Sequence, residues 1–243
     1  MEDILSANMI MNNWRRLAQL PGFRLIARRL DPSTAANNPL AKALIAHTML
    51  KAEGEQKSLL AFTRLTRMGR QDDIFGPVDD FGVLTEGPLK GKVVNDIRSN
   101  PDKYRGQLTQ KQQNWIDAAN ELEDAKLQML EAEGIDINIL EFEEGGRYAG
   151  RRIAGRIMPD GEVIDVAVIG GAGRPGTKSP FEKRRIFETA KEAADAGYIV
   201  MADDEALLRN IQGAYRRIAD KRAVDFLTNN VINSRTSKVT EEL

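Results

Sequence analysis

The chain has 243 residues, no cysteine and a single histidine, His47. These counts exclude disulfides, thiolate zinc sites, iron–sulfur clusters and cysteine nucleophiles, and they leave only His47 for serine–histidine chemistry. Apolar residues make up 42% of the sequence and aromatic residues 6%. This is a globular composition with few of the large side chains that line deep pockets.

The formal net charge of −1 conceals blocks of opposite sign. Residues 1–70 carry +6, residues 71–101 carry −3, residues 102–144 carry −7, residues 147–185 carry +5 and residues 186–243 carry −2. Such blocks either pair with one another inside the fold or face separate partners. The net charge by itself therefore does not exclude a polyanionic partner.

The N-terminus lacks the pattern of a secretory signal. It carries acids at Glu2 and Asp3 instead of a basic start followed by an apolar run. No window approaches the roughly 20 apolar residues of a membrane helix. The sequence therefore predicts no membrane span and an intracellular location in a host cytoplasm or a place inside a virion.

Residues 1–70 are predicted to be a basic helical region. Apolar residues recur at intervals of three and four over 4–20, which is typical of an amphipathic helix, and a short basic helix follows over 23–30. Asn38 as N-cap and Pro39 in the first turn predict a long helix towards Met68.

Residues 71–106 are predicted to be a linker rich in glycine and proline. These residues leave no room for a helix of ordinary length between 69 and 92. They are Gly69, Gly76, Pro77, Gly82, Gly87, Pro88 and Gly91.

Residues 107–134 are predicted to be an acidic amphipathic helix. Thr109 and Gln112 have the spacing of a capping box, and Gly134 ends the helix. A large apolar stripe recurs every seven residues beside a row of alanines, which favours contact with a partner helix. The stripe is Leu108, Trp115, Leu122 and Met129, and the polar face is Glu121, Glu123, Asp124, Glu131 and Glu133.

Residues 135–228 are predicted to form a unit of hairpin and helices, followed by a flexible tail over 229–243. Its expected parts are a strand over 135–142, a hairpin of 151–158 with 163–169, a short helix from the capping box Thr189–Glu192 to Gly197, and an edge strand over 198–201. Asp203 or Asp204 is expected to cap a last helix that runs to about 227.

An arginine-rich stretch begins at Arg147 and supplies the most unusual local pattern. In an extended segment Arg152 and Arg156 point the same way, and with neighbouring cations they would form a surface for phosphates. The alternative is that these arginines pair with the acidic helix 117–133. The candidate polyanion-binding residues are Arg147, Arg151, Arg152, Arg156, Arg174, Lys178, Lys183, Arg184 and Arg185.

A glycine loop over 171–176 matches the fingerprint of dinucleotide-binding turns. Pro175 and Pro180 postpone the helix that would hold a pyrophosphate, and the preceding strand reads as half of a hairpin. A nucleotide-binding enzyme that uses this loop is therefore kept only as an alternative.

Two stretches resemble segments of very large phage-encoded polypeptides, the polyvalent or internal virion proteins. The first runs from Asn95-Asp96-Ile97 through Asn100-Pro101, Tyr104, Leu108-Thr109 and Gln112 to Ile116-Asp117. The second runs from Arg185 through Thr189, Glu192-Ala193 and Ala196-Gly197-Tyr198 to Asp203 and the helix over 206–227. The resemblance implies a non-enzymatic, largely helical piece of a larger protein that is packaged in, or ejected from, a particle.

The sequence as a whole predicts an α+β protein that is predominantly helical, with a helical N-terminal part and a small C-terminal unit of hairpin and helix. We expect a non-enzymatic structural or interaction protein without a catalytic residue, a metal or a cofactor. Its expected partners are other protein subunits or other segments of a larger polypeptide. A nucleic-acid-binding module that uses residues 147–185 is the main alternative.

Overall fold

A computed structural model describes residues 39–135, 146–147, 149–165 and 187–229. The fold is α+β and mostly helical, as predicted. Its elements are α1 (Pro39–Thr66), α2 (Gln71–Phe75), α3 (Val94–Ser99), a 3-10 helix (Pro101–Gln107), α4 (Gln110–Ala132), β1 (Ile153–Ile157), β2 (Val163–Asp165), α5 (Ala190–Asp195), β3 (Tyr198–Val200) and α6 (Asp203–Leu227).

Local capping signals set the ends of two helices as predicted. At the start of α4, Thr109 Oγ1 accepts from the Gln112 backbone N–H, and Gln112 Oε1 accepts from the Thr109 backbone N–H. Thr189 and Glu192 form the same reciprocal pair at the start of α5. After α4, Gly134 has a φ of +63°, a left-handed conformation that glycine adopts without steric cost.

The described strands form an antiparallel sheet in the order β2-β1-β3. The predicted hairpin of β1 and β2 is confirmed, with Arg156 opposite Ile164, and β3 is the predicted edge strand on the other side of β1. Between Ile153 and Gly155 the register with β3 shifts, which leaves Ala154 as an extra residue. This bulge interrupts the two-residue alternation of side chains along β1.

The segment 71–106 is not a linker, and this prediction is wrong. It contains α2, α3 and the 3-10 helix, and most of its apolar side chains are buried, among them Ile74, Val94 and Ile97. Glycines at positive φ, such as Gly76 and Gly82, close tight turns between short elements. Asp79 Oδ1 accepts from the backbone N–H groups of Phe81 and Val83. The glycine and proline residues therefore fold the segment onto the core instead of extending it.

The chain divides into two compact units, one of residues 1–56 with 215–243 and one of residues 57–214. One boundary lies within α1 and the other within α6, whereas the predicted basic helical region ends at residue 70. In the first unit, Gly54 is buried, and Tyr215 lies so close that a Cβ on Gly54 would be 2.3 Å from the Tyr215 Cβ. His47 Nε2 lies 2.5 Å from Asp220 Oδ1. The missing side chain at Gly54 thus allows α1 and α6 to pack closely in this unit.

The second unit has an apolar centre around α4, α5 and β3. Trp115 and Ile116 are fully buried, and Ala190, Ala193 and Val200 belong to a second buried cluster beneath the sheet. Other predicted features lie outside the described residues. They are the helices over 4–20 and 23–30, the strand after 135, the part of the hairpin after 165, the loop over 171–176 and the tail from 230.

Candidate functional site

The unit formed by 57–214 contains a group of buried polar side chains where α3, α4 and the start of α6 meet. Arg98 and Glu123 are fully buried, and Lys126 and Asp203 are 3% and 2% exposed. Charged residues are almost never buried to this extent unless they are paired. We call the group the buried charge cluster; its members are Asn95, Arg98, Asn120, Glu123, Lys126 and Asp203.

Arg98 lies at the centre of the buried charge cluster. Its guanidinium forms an ion pair with the Asp203 carboxylate. Its Nη1 lies 3.7 Å from Glu123 Oε2 and donates to Asn120 Oδ1 at 3.4 Å. One cation therefore contacts polar groups of both α4 and α6.

Two further contacts complete the buried charge cluster. Asn95 Nδ2 donates to Asp203 Oδ1 at 2.7 Å, and the Lys126 ammonium pairs with the Glu123 carboxylate. Two cations thus alternate with two carboxylates, and their formal charges cancel. Pairing offsets much of the desolvation cost of burying each ion, which amounts to several kcal/mol.

The buried face of α4 differs from the predicted one. Ile116, Asn120, Glu123, Lys126 and Leu130 are buried, and they follow one another at intervals of three or four residues. The prediction that Glu123 belongs to the polar face is therefore wrong. That prediction used only the positions of the apolar residues. Asn120, Glu123 and Lys126 continue the spacing of three and four that joins Ile116 to Leu130, and this spacing places them on the same face.

Asp203 does not have the predicted capping role at the start of α6. Its backbone N–H donates to Gln71 Oε1 at 2.6 Å, and its carboxylate belongs to the buried charge cluster. The neighbouring Asp204 accepts from the Glu205 backbone N–H and pairs with Arg70, whose Nε lies 2.7 Å from Asp204 Oδ2. The two carboxylates therefore pair with different arginines, Asp203 with Arg98 and Asp204 with Arg70.

Burial raises the pKa of Asp204, whose side chain is 1% exposed. The Arg70 guanidinium and the backbone N–H groups of Glu205 and Gln71 oppose this rise, and the nearby Asp203 adds to it. Because desolvation is the largest cause, the carboxylate binds a proton more readily in the folded chain than in water.

Asp96 joins α3 to the beginning of α5. Its two carboxylate oxygens accept from the backbone N–H groups of Ala190 and Lys191 at 2.7 and 2.8 Å. Burial raises the pKa of Asp96, and the charge of Arg151 acts against that rise. Arg151, a candidate for polyanion binding, therefore lies within electrostatic range of an internal carboxylate.

Two other candidate arginines also make internal contacts. The Arg147 guanidinium pairs with Asp124 of α4, as the alternative reading of the sequence predicted. Arg152 Nε donates to Asn210 Oδ1 at 2.8 Å, and Arg152 Nη2 donates to the Arg209 carbonyl oxygen at 3.2 Å. These contacts fix the arginine-rich stretch against α4 and α6.

The guanidinium of Arg156 lies over the Tyr198 ring, 5.0 Å from its centroid. Arg152 and Arg156 thus have different neighbours, and the bulge at Ala154 lies between them. The remaining candidates for a polyanion surface are outside the described residues; they are Arg174, Lys178, Lys183, Arg184 and Arg185.

The predicted partner stripe is in part an internal surface. Trp115 is fully buried, its ring packs edge-on against Phe75 at 5.5 Å, and its Nε1 donates to the Gly69 carbonyl oxygen at 3.1 Å. A side chain in this position cannot contact a partner helix, because the segment predicted as a linker already covers it. The other members, Leu108, Leu122 and Met129, are half-buried.

No helix in the described part of the chain is long and apolar enough to cross a membrane. Over the same residues, no three His, Asp or Glu side chains converge to hold a metal ion. No protein family model, no curated protein and no solved structure matches the chain. The buried charge cluster is therefore interpreted from its own geometry: its directional contacts hold three helices in one register.

Proposed function

We propose that the chain is a non-enzymatic structural and interaction module. In keeping with the resemblance of its sequence, we place it among phage or mobile-element proteins, as a virion-associated component or a segment of a larger polypeptide. The observation that carries the proposal is the internal use of the described arginines, with Arg147 on Asp124 and Arg152 on Asn210.

A phosphate-binding surface needs several cations that are exposed together, because each phosphate contact replaces a bound counterion. Here the guanidinium of Arg156 lies over the Tyr198 ring, and the charge of Arg151 acts on Asp96. Turning these side chains towards phosphates would break the contact between Arg156 of β1 and Tyr198 of β3 and would move the charge of Arg151 away from Asp96. The arrangement of these arginines therefore favours a structural role over phosphate binding.

Charge reversal tests this proposal. In the variant with Arg152→Glu and Arg156→Glu, we expect a lower midpoint of chemical unfolding, since both internal contacts are lost. The matched control is Arg105→Glu, because Arg105 has a side chain that is 76% exposed and pairs with the exposed Asp102. An unchanged midpoint in the double variant, with loss of binding to DNA, would favour the nucleic-acid alternative.

Direct binding measurements complete the test. Binding of duplex and single-stranded DNA by the wild-type chain is followed by fluorescence anisotropy between about 50 and 200 mM salt. We expect no DNA binding whose affinity falls steeply as the salt concentration rises. Sedimentation equilibrium should then show self-association, or a defined complex with a co-expressed neighbouring segment. A monomer that binds DNA with a log–log slope of several units would contradict the proposal.

A further inference from the structure

Beside its buried face, α4 carries a second row of apolar side chains. These residues follow one another at alternating intervals of four and three, which is the spacing of a seam between two packed helices. Ala125 and Ala132 are exposed, and the other members are half-buried. We call this row the outer seam; its members are Ala118, Leu122, Ala125, Met129 and Ala132.

The outer seam combines one row of large side chains, Leu122 and Met129, with one row of alanines. When two copies of α4 pack antiparallel, the large row of each copy faces the alanine row of the other, because reversing the helix exchanges the two rows. In a parallel pair, large side chains face large ones and alanines face alanines, so that crowded layers alternate with empty ones. Close packing without voids therefore favours the antiparallel pair.

The side chains beside the outer seam select one register for such a pair. Glu121 and Gln128 are exposed, and their heptad spacing places them on the same flank. In the register that packs Leu122 on Ala125 of the second copy, Glu121 lies opposite Gln128 of the second copy, whose amide can donate to the carboxylate. Sliding one copy by a heptad would instead oppose two Glu121 carboxylates, which is unfavourable. Arg64 Nη2, 3.7 Å from Glu121 Oε2, further reduces the negative charge at this flank.

We propose that the outer seam of α4 is the docking surface for a second copy of this chain, packed antiparallel in a two-fold symmetric dimer. A two-fold axis uses the same surface on both copies, which the exchange of large and small rows allows. One helix pair is a small interface, so the dissociation constant should be on the order of 10 μM. This inference rests on the proposed function and deepens it, because it names the partner and the contacting surface.

Sedimentation equilibrium of the full chain tests the docking surface. We expect a monomer–dimer equilibrium for the wild type. Ala125→Glu places a carboxylate at the centre of the outer seam, and burying it should raise the dissociation constant at least about tenfold. Because Ala125 is exposed in the single chain, the helix content measured by circular dichroism should not change.

Ala52→Glu is the matched control, since Ala52 is an exposed alanine of α1, and it should leave the dissociation constant unchanged. Two results would overturn the proposal. One is a wild-type chain that stays monomeric at about 500 μM, far above the expected dissociation constant. The other is a dimer that Ala125→Glu does not weaken.

Cysteine cross-linking tests the antiparallel orientation. The chain has no cysteine, so the variants Ala125→Cys and Ala132→Cys each carry a single thiol. In the proposed register the two thiols are offset along the helix axis by about 5 Å in Ala125→Cys and by about 25 Å in Ala132→Cys. A short bismaleimide should therefore join two copies of Ala125→Cys but not of Ala132→Cys. Equal cross-linking of both variants would indicate a parallel pair and overturn the proposal.

Variants at Gln128 test the register, and they replace Ala125→Glu if that variant does not fold. Gln128→Lys places an ammonium opposite Glu121 of the second copy at two symmetric positions, and it should tighten the dimer by about threefold. Gln128→Glu places a carboxylate there and should weaken the dimer by a similar factor. The reverse order of the two dissociation constants would overturn the proposal.

Failure of the dimer and failure of the proposed function give different results. A monomer that forms a defined complex with a co-expressed neighbouring segment would contradict only the dimer. A monomer that binds DNA with a steep salt dependence would contradict both.

Discussion

Arg98 and Asp203 form an ion pair in which both side chains are buried, although 105 residues separate them in the sequence. The pair connects α3, in a segment rich in glycine and proline, to the first residue of α6. Both side chains are at most 2% exposed, so their stabilisation depends on partners within the protein, of which each is one for the other. The relative positions of these two helices are therefore fixed by electrostatics as well as by apolar packing.

Removing one charge of this pair should destabilise the chain strongly. Asp203→Asn removes the charge that pairs with the buried Arg98 guanidinium, and we expect the free energy of unfolding to fall by about 3–5 kcal/mol. Asp102→Asn is the matched control, because Asp102 pairs with Arg105 at the surface and should cost less than about 1 kcal/mol. Urea denaturation followed by circular dichroism measures both. Equal effects would mean that the buried pair does not stabilise the fold.

A methyl group at Gly150 should destabilise the chain through steric overlap. The added Cβ would lie 2.6 Å from Asn210 Nδ2, and we expect Gly150→Ala to lower the free energy of unfolding by about 1–3 kcal/mol. At Gly106 a Cβ would meet no atom within 4 Å, so Gly106→Ala should be neutral or stabilising by about 0.4–1 kcal/mol. The measurement is the midpoint of chemical unfolding of the two variants. A Gly150→Ala midpoint at or above that of Gly106→Ala would contradict the close contact between Gly150 and Asn210.

Stability should depend on pH through Asp204. Burial raises its pKa above the ordinary value of 3.8, so the folded chain binds this proton more tightly than the unfolded chain. The contribution of Asp204 to stability is therefore largest below pH 3.8 and falls as the pH rises through the raised pKa. The free energy of unfolding of the wild type minus that of Asp204→Asn should accordingly decrease with rising pH.

The guanidinium of Arg70 provides a control for this pH dependence. Because its charge lowers the pKa of Asp204, the substitution Arg70→Gln should move the decrease to higher pH. Thermal unfolding at a series of pH values, in the Arg70→Gln background with and without Asp204→Asn, measures the shift. A difference that grows with pH when Arg70 is present would show that charge pairing outweighs desolvation at this site.

Trp115 should behave as a core residue and not as part of a partner surface. Trp115→Ala removes a fully buried ring and its bond to the Gly69 carbonyl oxygen, and the expected loss is about 3–5 kcal/mol. Met129 is a half-buried member of the same stripe. Met129→Ala should lower the free energy of unfolding by less than about 2 kcal/mol. Fluorescence-detected unfolding is unsuitable for the tryptophan variant, so circular dichroism is used for both. If Trp115→Ala retained full stability but lost self-association, the stripe would be a partner surface after all.

Local sequence signals predicted the secondary structure well where the relevant atoms are close along the chain. The capping boxes at Thr109 and Thr189 and the hairpin turn at Gly161 each depend on a few neighbouring residues, and each is present. The prediction of a linker over 71–106 is wrong because its turns are local signals, whereas the ring that packs on Phe75 is that of Trp115 in α4, 40 residues later. Periodicity of apolar residues could not identify a buried face that includes charges.

The sequence by itself determined the helical character of the chain, the ends of α4 and α5, and the pairing of β1 with β2, because each depends on interactions within a few residues. Only the tertiary structure decided that Arg98, Glu123, Lys126 and Asp203 are interior. The charge blocks of the sequence pair in part with each other, as Arg147 does with the half-exposed Asp124. The burial of a charge depends on a partner from a distant element, and no local sequence pattern specifies which residue the fold brings into contact with it.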